Sequence, residues 1–436
     1  MQSDTSDMHL CFAALFPLLL AFSLSAADLS TTNREALQFF FSAADPPKRP
    51  VTILSFGDSM ADSYRSIAYV LMNRFGERMG VAGYSFNNYA NSLLFNLTNG
   101  TQVLAPSSLW YSTYFHLPAG GGLWWTKEFS DAGILSDDAG VFYISLSRGG
   151  KFTISISTNS GPWSPLLTVD GFSSTPVGCF TNVALAPNFH RLRVDGVTGN
   201  NVILGPRLLN GRSSGINAAF TDYPGITLGQ VTNVPLSIRT PIFQALAPDL
   251  LIWHMKEDGT EATRQRLIEC EQWWSHALSN CSVLYIGTPY VGVDTTTTWT
   301  IDQNTVVRSV ALDYHRAYMD CMTPAVSYDW MLAHGFMSDA THLNYEGSSY
   351  LAGFIWDDLG FFSLRVPHSL TIQSLGNQLR LSYGTAPKIF YTLESSEDRI
   401  RWEPLFSTIG TGMMMNTNLQ STGSPRWLHL RLNPRP

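Results

Sequence analysis

Ser59 closes the tripeptide Gly57-Asp58-Ser59, and far downstream lies the turn Ser338-Asp339-Ala340-Thr341-His342. Between them these residues hold the side-chain types that acyl transfer requires. A serine hydroxyl is a weak nucleophile until a base takes its proton, and the base works only when a third group fixes its orientation. An aspartate three residues before a histidine on one tight turn can hold the ring so that one nitrogen donates to the carboxylate and the other faces the serine. Alone, each signal is weak. Gly-Asp-Ser is commonly a loop in which Asp58 or Ser59 caps a helix, and Asp-x-x-His is commonly a surface turn.

The elements that must position these residues are legible around them. Val51 to Leu54 is apolar and β-branched, as in a buried parallel strand. Tyr64, Ile67, Ala68, Leu71 and Phe75 then repeat at helical spacing. Ser59 thus falls at a strand-to-helix junction, where the first backbone N–H groups of the helix lack internal partners and favour negative charge. Gly57 lets the chain turn tightly in front of it. The Asp339/His342 turn precedes an amphipathic helix marked by Leu351, Phe354, Ile355 and Leu359. Between the two lie a buried strand through Ala247–Trp253, a helix capped by Thr260 that carries Leu267, Trp274 and Leu278, a strand over Ser282–Ile286 and a helix around Val306–Tyr318. Trp273 and Trp274 are read as core packing.

Gly-Asp-Ser after the first strand, paired with Asp-x-x-His before the last helix, resembles the SGNH or GDSL hydrolase superfamily. The resemblance implies an α/β fold, a flavodoxin-like three-layer sandwich around a parallel sheet, with Ser59 as nucleophile, His342 as general base and Asp339 as its orienter. The stretch from Arg74-Phe75-Gly76 to Gly83-Tyr84, followed by a β-rich insertion, is similar to the peptidoglycan O-acetylesterases of that superfamily, whose insert looks like a carbohydrate-binding module. The superfamily also implies an oxyanion-hole glycine after the resumed α/β pattern, here Gly225, with Gly215 as the alternative. A further strand ends there in Gly-x-Asn-Asp. Aligning the last residue on Asp258 puts Glu257 where the oxyanion-binding Asn is expected, and a carboxylate cannot donate unless protonated. Three readings stay open: Glu257 is held neutral by burial, Lys256 or His254 supplies the donor, or the site is impaired.

The pattern divides the chain into a signal peptide over 1–27, a linker over 28–50, and a first catalytic half over 51–88. An inserted β-sandwich over 89–212, a second catalytic half over 213–362 and a small C-terminal β accessory domain over 363–436 follow. The insert is drawn from alternating runs such as Val141–Leu146, Lys151–Ser157, His190–Val194 and Val202–Gly205, punctuated by Gly, Asn and Pro. Its tryptophans, Trp110, Trp124, Trp125 and Trp163, suit either stacking on sugar rings or filling a sandwich core. The tail stretch Tyr391–Trp402 looks like the small β modules appended to secreted bacterial proteins.

Composition bounds the rest. At 436 residues and 44% hydrophobic content the chain can bury more than one core, enough for roughly two to three domains. Charged residues make up only 14% and the net charge is −7, so no clustered Lys and Arg invites nucleic acid. The apolar run from Leu10 to Ala26, closing on small residues, reads as a secretory signal; its n-region carries Asp4 and Asp7 and no basic residue, which a start at Met8 would remedy. After its removal no integral membrane segment is expected, and the protein is placed as secreted or periplasmic. Cys11 lies in that signal; Cys179, Cys270, Cys281 and Cys321 allow three disulfide pairings that sequence cannot rank. No C-x-x-C or H-E-x-x-H spacing points to a metal, and no cofactor is implied. The expected activity is a secreted serine esterase that removes acyl groups, O-acetyl above all, from a polysaccharide or cell-wall glycan. The alternatives are an O-acyltransferase to a sugar acceptor and a catalytically weak carbohydrate-binding protein.

Overall fold

The computed structural model describes residues 34–45, 47–61, 65–85, 95–104, 107–125, 134–292, 298–361, 370–375, 378–384, 390–396, 403–409, 414–420 and 427–433. The proposed signal segment 1–27 and Cys11 lie outside the described residues.

The first described element corrects one sequence reading. Part of the stretch assigned as linker is helical: a 3-10 turn over Arg34–Leu37 leads into α1, Gln38–Ala44. Leu37, Phe40 and Ala44 recur at helical spacing and are fully buried. The Phe40 ring packs edge-on against Phe75 and Phe361, at 5.3 and 5.8 Å between centroids. The prolines at 47 and 50 suggested a linker, but this short apolar face covers the sheet.

The centre is a parallel sheet. β1 (Val51–Gly57), β2 (Val81–Ser85), β12 (Ile216–Phe220), β13 (Leu250–His254), β14 (Ser282–Ile286) and β15 (Ala317–Met319) run in the order β15-β14-β13-β1-β12-β2. Alternation along each strand sends one set of side chains to each face. Leu54, Phe56, Leu251, Trp253, Val283 and Tyr285 enter one core, closed by helices α3 (Leu228–Asn233), α4 (Leu236–Leu246), α5 (Glu261–Ala277) and α6 (Trp299–Asp313). Val51, Ile53, Leu250, Ile252, Leu284 and Ile286 enter the opposite core under α1, α2 (Ile67–Met79) and a last helix, α8 (Tyr345–Asp358), which follows the short α7 (Tyr328–Ala333). Each fully buried aliphatic or aromatic side chain contributes about 1.5–3 kcal/mol, so these two layers hold the strand ends that carry the site.

Between β2 and β12 the chain is β throughout: β3 (Phe95–Thr98), β4 (Thr101–Val103), β5 (Tyr114–Pro118), β6 (Gly122–Trp125), β7 (Ile134–Ser145), β8 (Lys151–Thr158), β9 (Trp163–Asp170), β10 (Val177–Gly196) and β11 (Asn200–Leu209). These strands are not hydrogen-bonded only to one another. β11 pairs antiparallel with β2, Arg207 opposite Ser85, so the β-rich segment continues the parallel sheet. Trp110, Tyr111, Phe142, Ile144, Val202 and Leu204 share a core with Leu54 and Phe56. A separate core built on Phe115, Trp125, Phe152, Ile154, Leu192 and Val194 belongs to this segment, with Tyr84 of β2 packed against it.

The four tryptophans divide accordingly. Trp110 and Trp125 are buried core residues, whereas Trp124 and Trp163 are half-buried, with the guanidinium groups of Arg193 and Arg191 each 5.4 Å from the respective ring. In the tail, β16 (Leu370–Leu375), β17 (Gln378–Gly384) and β20 (Met414–Gln420) form one three-stranded sheet. β18 (Phe390–Ser396), β19 (Glu403–Ile409) and β21 (Trp427–Asn433) form another. Cys179, Cys270, Cys281 and Cys321 are free thiols, the last three buried. Among the described residues no helix is long and apolar enough to cross a membrane.

Candidate active site

Ser59 sits just past the carboxyl end of β1, in the turn before α2. Gly57 is required there by contact rather than by backbone angle: a Cβ on it would lie 2.0 Å from the carbonyl oxygen of His254 on the paired strand β13. The turn is held by Asp58. Its buried carboxylate accepts from the Met60 N–H at 2.9 Å and from the Lys256 N–H at 3.0 Å, tying the nucleophile turn to the loop after β13. Burial pushes the Asp58 carboxyl up to about 6, against the pull of the Met60 and Lys256 N–H groups and the Lys256 and His342 charges.

His342 and Asp339 arrive from the other end of the chain. Met337 bridges Leu343, and the Ser338 N–H donates to the His342 carbonyl at 2.9 Å, closing a tight loop. Asn344 then caps α8 by accepting from the Gly347 N–H at 2.9 Å. Within the loop one Asp339 oxygen accepts from the backbone N–H groups of Thr341 and His342, each at 2.7 Å. The His342 Nδ1 lies 2.9 Å from Asp339 Oδ2 and its Nε2 lies 2.9 Å from Ser59 Oγ. A carboxylate only accepts, so Nδ1 carries the proton and Nε2 presents its lone pair to the Ser59 hydroxyl. Burial alone would raise the Asp339 carboxyl, but the His342 and Thr341 N–H groups and the His342 ring outweigh it and hold the group down at about 2. The structure therefore brings Ser59, His342 and Asp339 into one hydrogen-bonded chain.

The remaining sequence candidates are placed differently. Gly225 adopts φ +75°, which favours glycine. It lies in a turn where the Ile226 N–H donates to the Tyr223 carbonyl and the Tyr223 N–H donates to the Gly57 carbonyl, so this segment runs against the nucleophile turn. Gly215 is at the wrong end of the sheet: its carbonyl accepts from the Val51 N–H at 3.0 Å, the full length of β1 from Ser59, roughly 20 Å away. Glu257 is buried, and its Oε1 accepts from the Leu228 N–H at the start of α3. Burial is the main reason its carboxyl is pushed up to about 7, with the charges of Asp258 and Asp58 adding to it. Lys256 points elsewhere, its ammonium 4.9 Å from the Trp299 ring.

Two residues outside the sequence reading shape this loop. Gln303 on α6 accepts from the Glu257 N–H at 3.1 Å and donates to the Met255 carbonyl at 3.0 Å and to Thr288 Oγ1 at 2.8 Å. Its neighbour Asn304 binds the Thr288 N–H and carbonyl at 3.0 and 2.8 Å. The only sequence signal was an adjacent pair of amides just before the helix read around Val306–Tyr318, which in fact begins at Trp299, and the pair does not say what it faces.

No known protein family and no curated protein matches the chain. Among solved structures it is similar to a peptidoglycan O-acetylesterase with a TM-score of 0.58 and 17% identity, over 76% of this chain and 97% of that one. It is also matched, at TM-scores of 0.29 and 0.28, to a GDSL-like lipase from Parabacteroides merdae (12% identity, 33% of this chain, 73% of that one) and to an acetyl-xylooligosaccharide esterase from Geobacillus (14% identity, 35% and 76%). The likeness to the O-acetylesterase, at 17% identity, is one of fold, over 76% of this chain.

Proposed function

We propose that this protein is a serine esterase, secreted or periplasmic, that removes acyl groups, O-acetyl in the first place, from a polysaccharide or cell-wall glycan through an acyl-enzyme. The observation that carries the reading is the continuous chain Ser59 Oγ, His342, Asp339 with both links at 2.9 Å. In this mechanism His342 Nε2 takes the Ser59 proton as Oγ attacks the ester carbonyl, and the resulting imidazolium lies against the Asp339 carboxylate. The same proton passes to the departing sugar oxygen. Water then attacks the acyl-enzyme, giving its proton to His342, and Ser59 leaves with that proton restored.

The backbone N–H groups of Ser59 and Gly225 are assigned to the oxyanion. Glu257 is given no donor role in this assignment, because its carboxyl is turned toward the Leu228 N–H at the start of α3. The fold shared with a peptidoglycan O-acetylesterase supports a deacetylase reading, and the β-rich segment beside the sheet is proposed to present the glycan. The catalytically weak binder is the less favoured reading, since an idle site has no need of a histidine bridging serine and aspartate.

Hydrolysis of p-nitrophenyl acetate and release of acetate from O-acetylated polysaccharides test the proposal. Ser59→Ala is expected to lower kcat by at least about three decades while leaving the melting temperature unchanged. A fluorophosphonate probe should label Ser59. Labelling of another serine, or full activity in Ser59→Ala, would overturn it. Running the assay with and without a free sugar acceptor separates hydrolysis from transfer.

A further inference from the structure

Beneath the nucleophile lies a second histidine that the mechanism above does not use. His254 ends β13, opposite Gly57, and is fully buried. Neither of its ring nitrogens makes a hydrogen bond. Burial pushes the imidazole down to about 3, and the Met60 backbone offsets this only in part, so the ring is neutral across the working range. A neutral imidazole needs one donor and one acceptor satisfied, and leaving such a group dry in a core is destabilising. Apolar residues surround it on the strand, where Leu, Ile or Phe would pack without that penalty.

The ring is also one wall of a small, partly open pocket of about 20 Å³, lined further by Ser59, Met60, Arg65, Ser66, His342, Leu343 and Ser348. That volume admits a single water molecule, which needs roughly 10–15 Å³ and two to four polar partners. The partners are present. Ser66 Oγ accepts from the Tyr69 N–H at 3.0 Å and keeps its own hydroxyl proton to give. Ser348 Oγ donates to the Arg65 carbonyl and keeps a lone pair. The Met60 backbone acts to raise the His254 pKa, the sense expected of a carbonyl near the ring but outside hydrogen-bond geometry, and a neutral imidazole keeps one nitrogen free to accept.

We propose that His254 is a positioning residue that works through one bound water in this cavity, and that the water, donating to the free His254 nitrogen and reaching the serine hydroxyls, fixes Ser59 and His342 at their 2.9 Å separation from below. The pair comes from opposite ends of the chain, one on the turn after β1 and the other on the loop before α8. A water held by β13, α2 and α8 together would link the two supports directly under the hydrogen bond that starts the reaction. It takes no part in bond making.

This inference rests on the proposed esterase reading for its kinetic consequence, but its structural part does not. A crystal structure of the wild-type protein at high resolution should show a water within hydrogen-bond distance of a His254 ring nitrogen and of at least one of Ser66 Oγ, Ser348 Oγ and Ser59 Oγ. His254→Phe, similar in size and without nitrogens, should lose that water and lower kcat on p-nitrophenyl acetate tenfold or more with KM unchanged. His254→Gln, whose amide restores an acceptor, should recover most of the loss. A water-free cavity in the wild-type crystal would overturn the proposal. So would a His254→Phe variant of wild-type kcat, or a Gln variant no better than Phe when both melt at the wild-type temperature. If the wild type proves inactive while the water is present, the esterase reading fails and the water site stands.

Discussion

Replacing Glu257 by glutamine should stabilise the protein, and by an amount that grows with pH. The carboxyl is buried, its Oε1 accepts from the Leu228 N–H, and burial pushes its pKa from the ordinary 4.5 to about 7. A raised carboxyl pKa means that the folded state keeps a proton that the unfolded chain releases, so stability is greatest below 4.5 and falls as pH rises through the window up to about 7. At about 1.4 kcal/mol per pH unit, the full window is worth roughly 3 kcal/mol. Glutamine keeps the acceptor for Leu228 and never ionises. Its advantage over wild type should therefore be about 1 kcal/mol at pH 5 and roughly 3 kcal/mol at pH 8. Urea unfolding of both proteins at the two pH values reads this directly. An advantage that is flat with pH, or larger at pH 5, would refute the argument, because it would mean that Glu257 ionises freely in the folded state. Glu257→Asn tests the catalytic side. Its shorter amide gives up Leu228 but can turn toward the nucleophile, and one good oxyanion donor is worth roughly 3 kcal/mol, so activity on small acetyl esters at neutral pH should rise. A dead Glu257→Asn variant beside an active wild type would assign Glu257 a positive role of its own.

His342→Ala should be as damaging to ester hydrolysis as Ser59→Ala, and the double variant no worse than either, since triad members act as a unit; Asp339→Asn should fall between them and wild type, and additive losses in kcat would argue against a shared proton path. Gln303→Leu strands the Glu257 N–H, the Met255 carbonyl and the Thr288 hydroxyl at once, which at about 1–3 kcal/mol for each buried unpaired group should lower the unfolding free energy by several kcal/mol; a change below 1 kcal/mol would show that water replaces the amide. The segment 89–212, expressed alone, should melt cooperatively with a β-type circular dichroism spectrum, because Phe115, Phe152 and Leu192 keep their own core. It should also bind a hydrophobic dye, because excision exposes Trp110 and Phe142, and a disordered fragment would refute its autonomy.

The parts of this architecture that were legible in the sequence are those written in contiguous residues. Val51–Leu54 with Gly57 and Ser59 is a strand followed by a turn, and Asp339 with His342 closes its own hydrogen bonds within a few residues, so each half of the site can be read locally. What escaped depends on partners distant in the chain. The helix α1 was hidden by the prolines that follow it, and distant residues such as Phe75 and Phe361 give its apolar face a place to bury, while Ser282 Oγ accepts from the Phe40 N–H. The direction of the Glu257 side chain is set by Leu228, and the work of Gln303 by the loops it spans. The alternating runs at Val141–Leu146, Lys151–Ser157, His190–Val194 and Val202–Gly205 fall on strands β7, β8, β10 and β11, but alternation is silent about an edge. The pairing of β11 with β2, which joins the β-rich segment to the parallel sheet, therefore had no local signature.

The charges around Ser59 fall into two groups, and the division bears on how the site could work. The groups packed inside the fold are driven toward their neutral forms: Asp58 up to about 6, Glu257 up to about 7 and His254 down to about 3, in each case mainly by burial. The exposed Asp339 is driven the other way, down to about 2, by N–H groups aimed at it. Below about pH 6 this leaves negative charge on the side of His342, where an imidazolium forms, and withholds it from the inner side of the nucleophile turn, where it would oppose a developing oxyanion. Above pH 7 the two buried carboxyls both tend to ionise, and each raises the cost of ionising the other. A turn whose conformation depends on the Asp58 carboxylate gripping two backbone N–H groups thus meets opposing demands: ionisation tightens the grip through charge-assisted hydrogen bonds, yet places a second negative charge next to the serine. Asp58→Asn separates them, since it removes the charge and retains one acceptor, so that a gain in rate above pH 7 together with a loss of stability would show that the two demands are distinct.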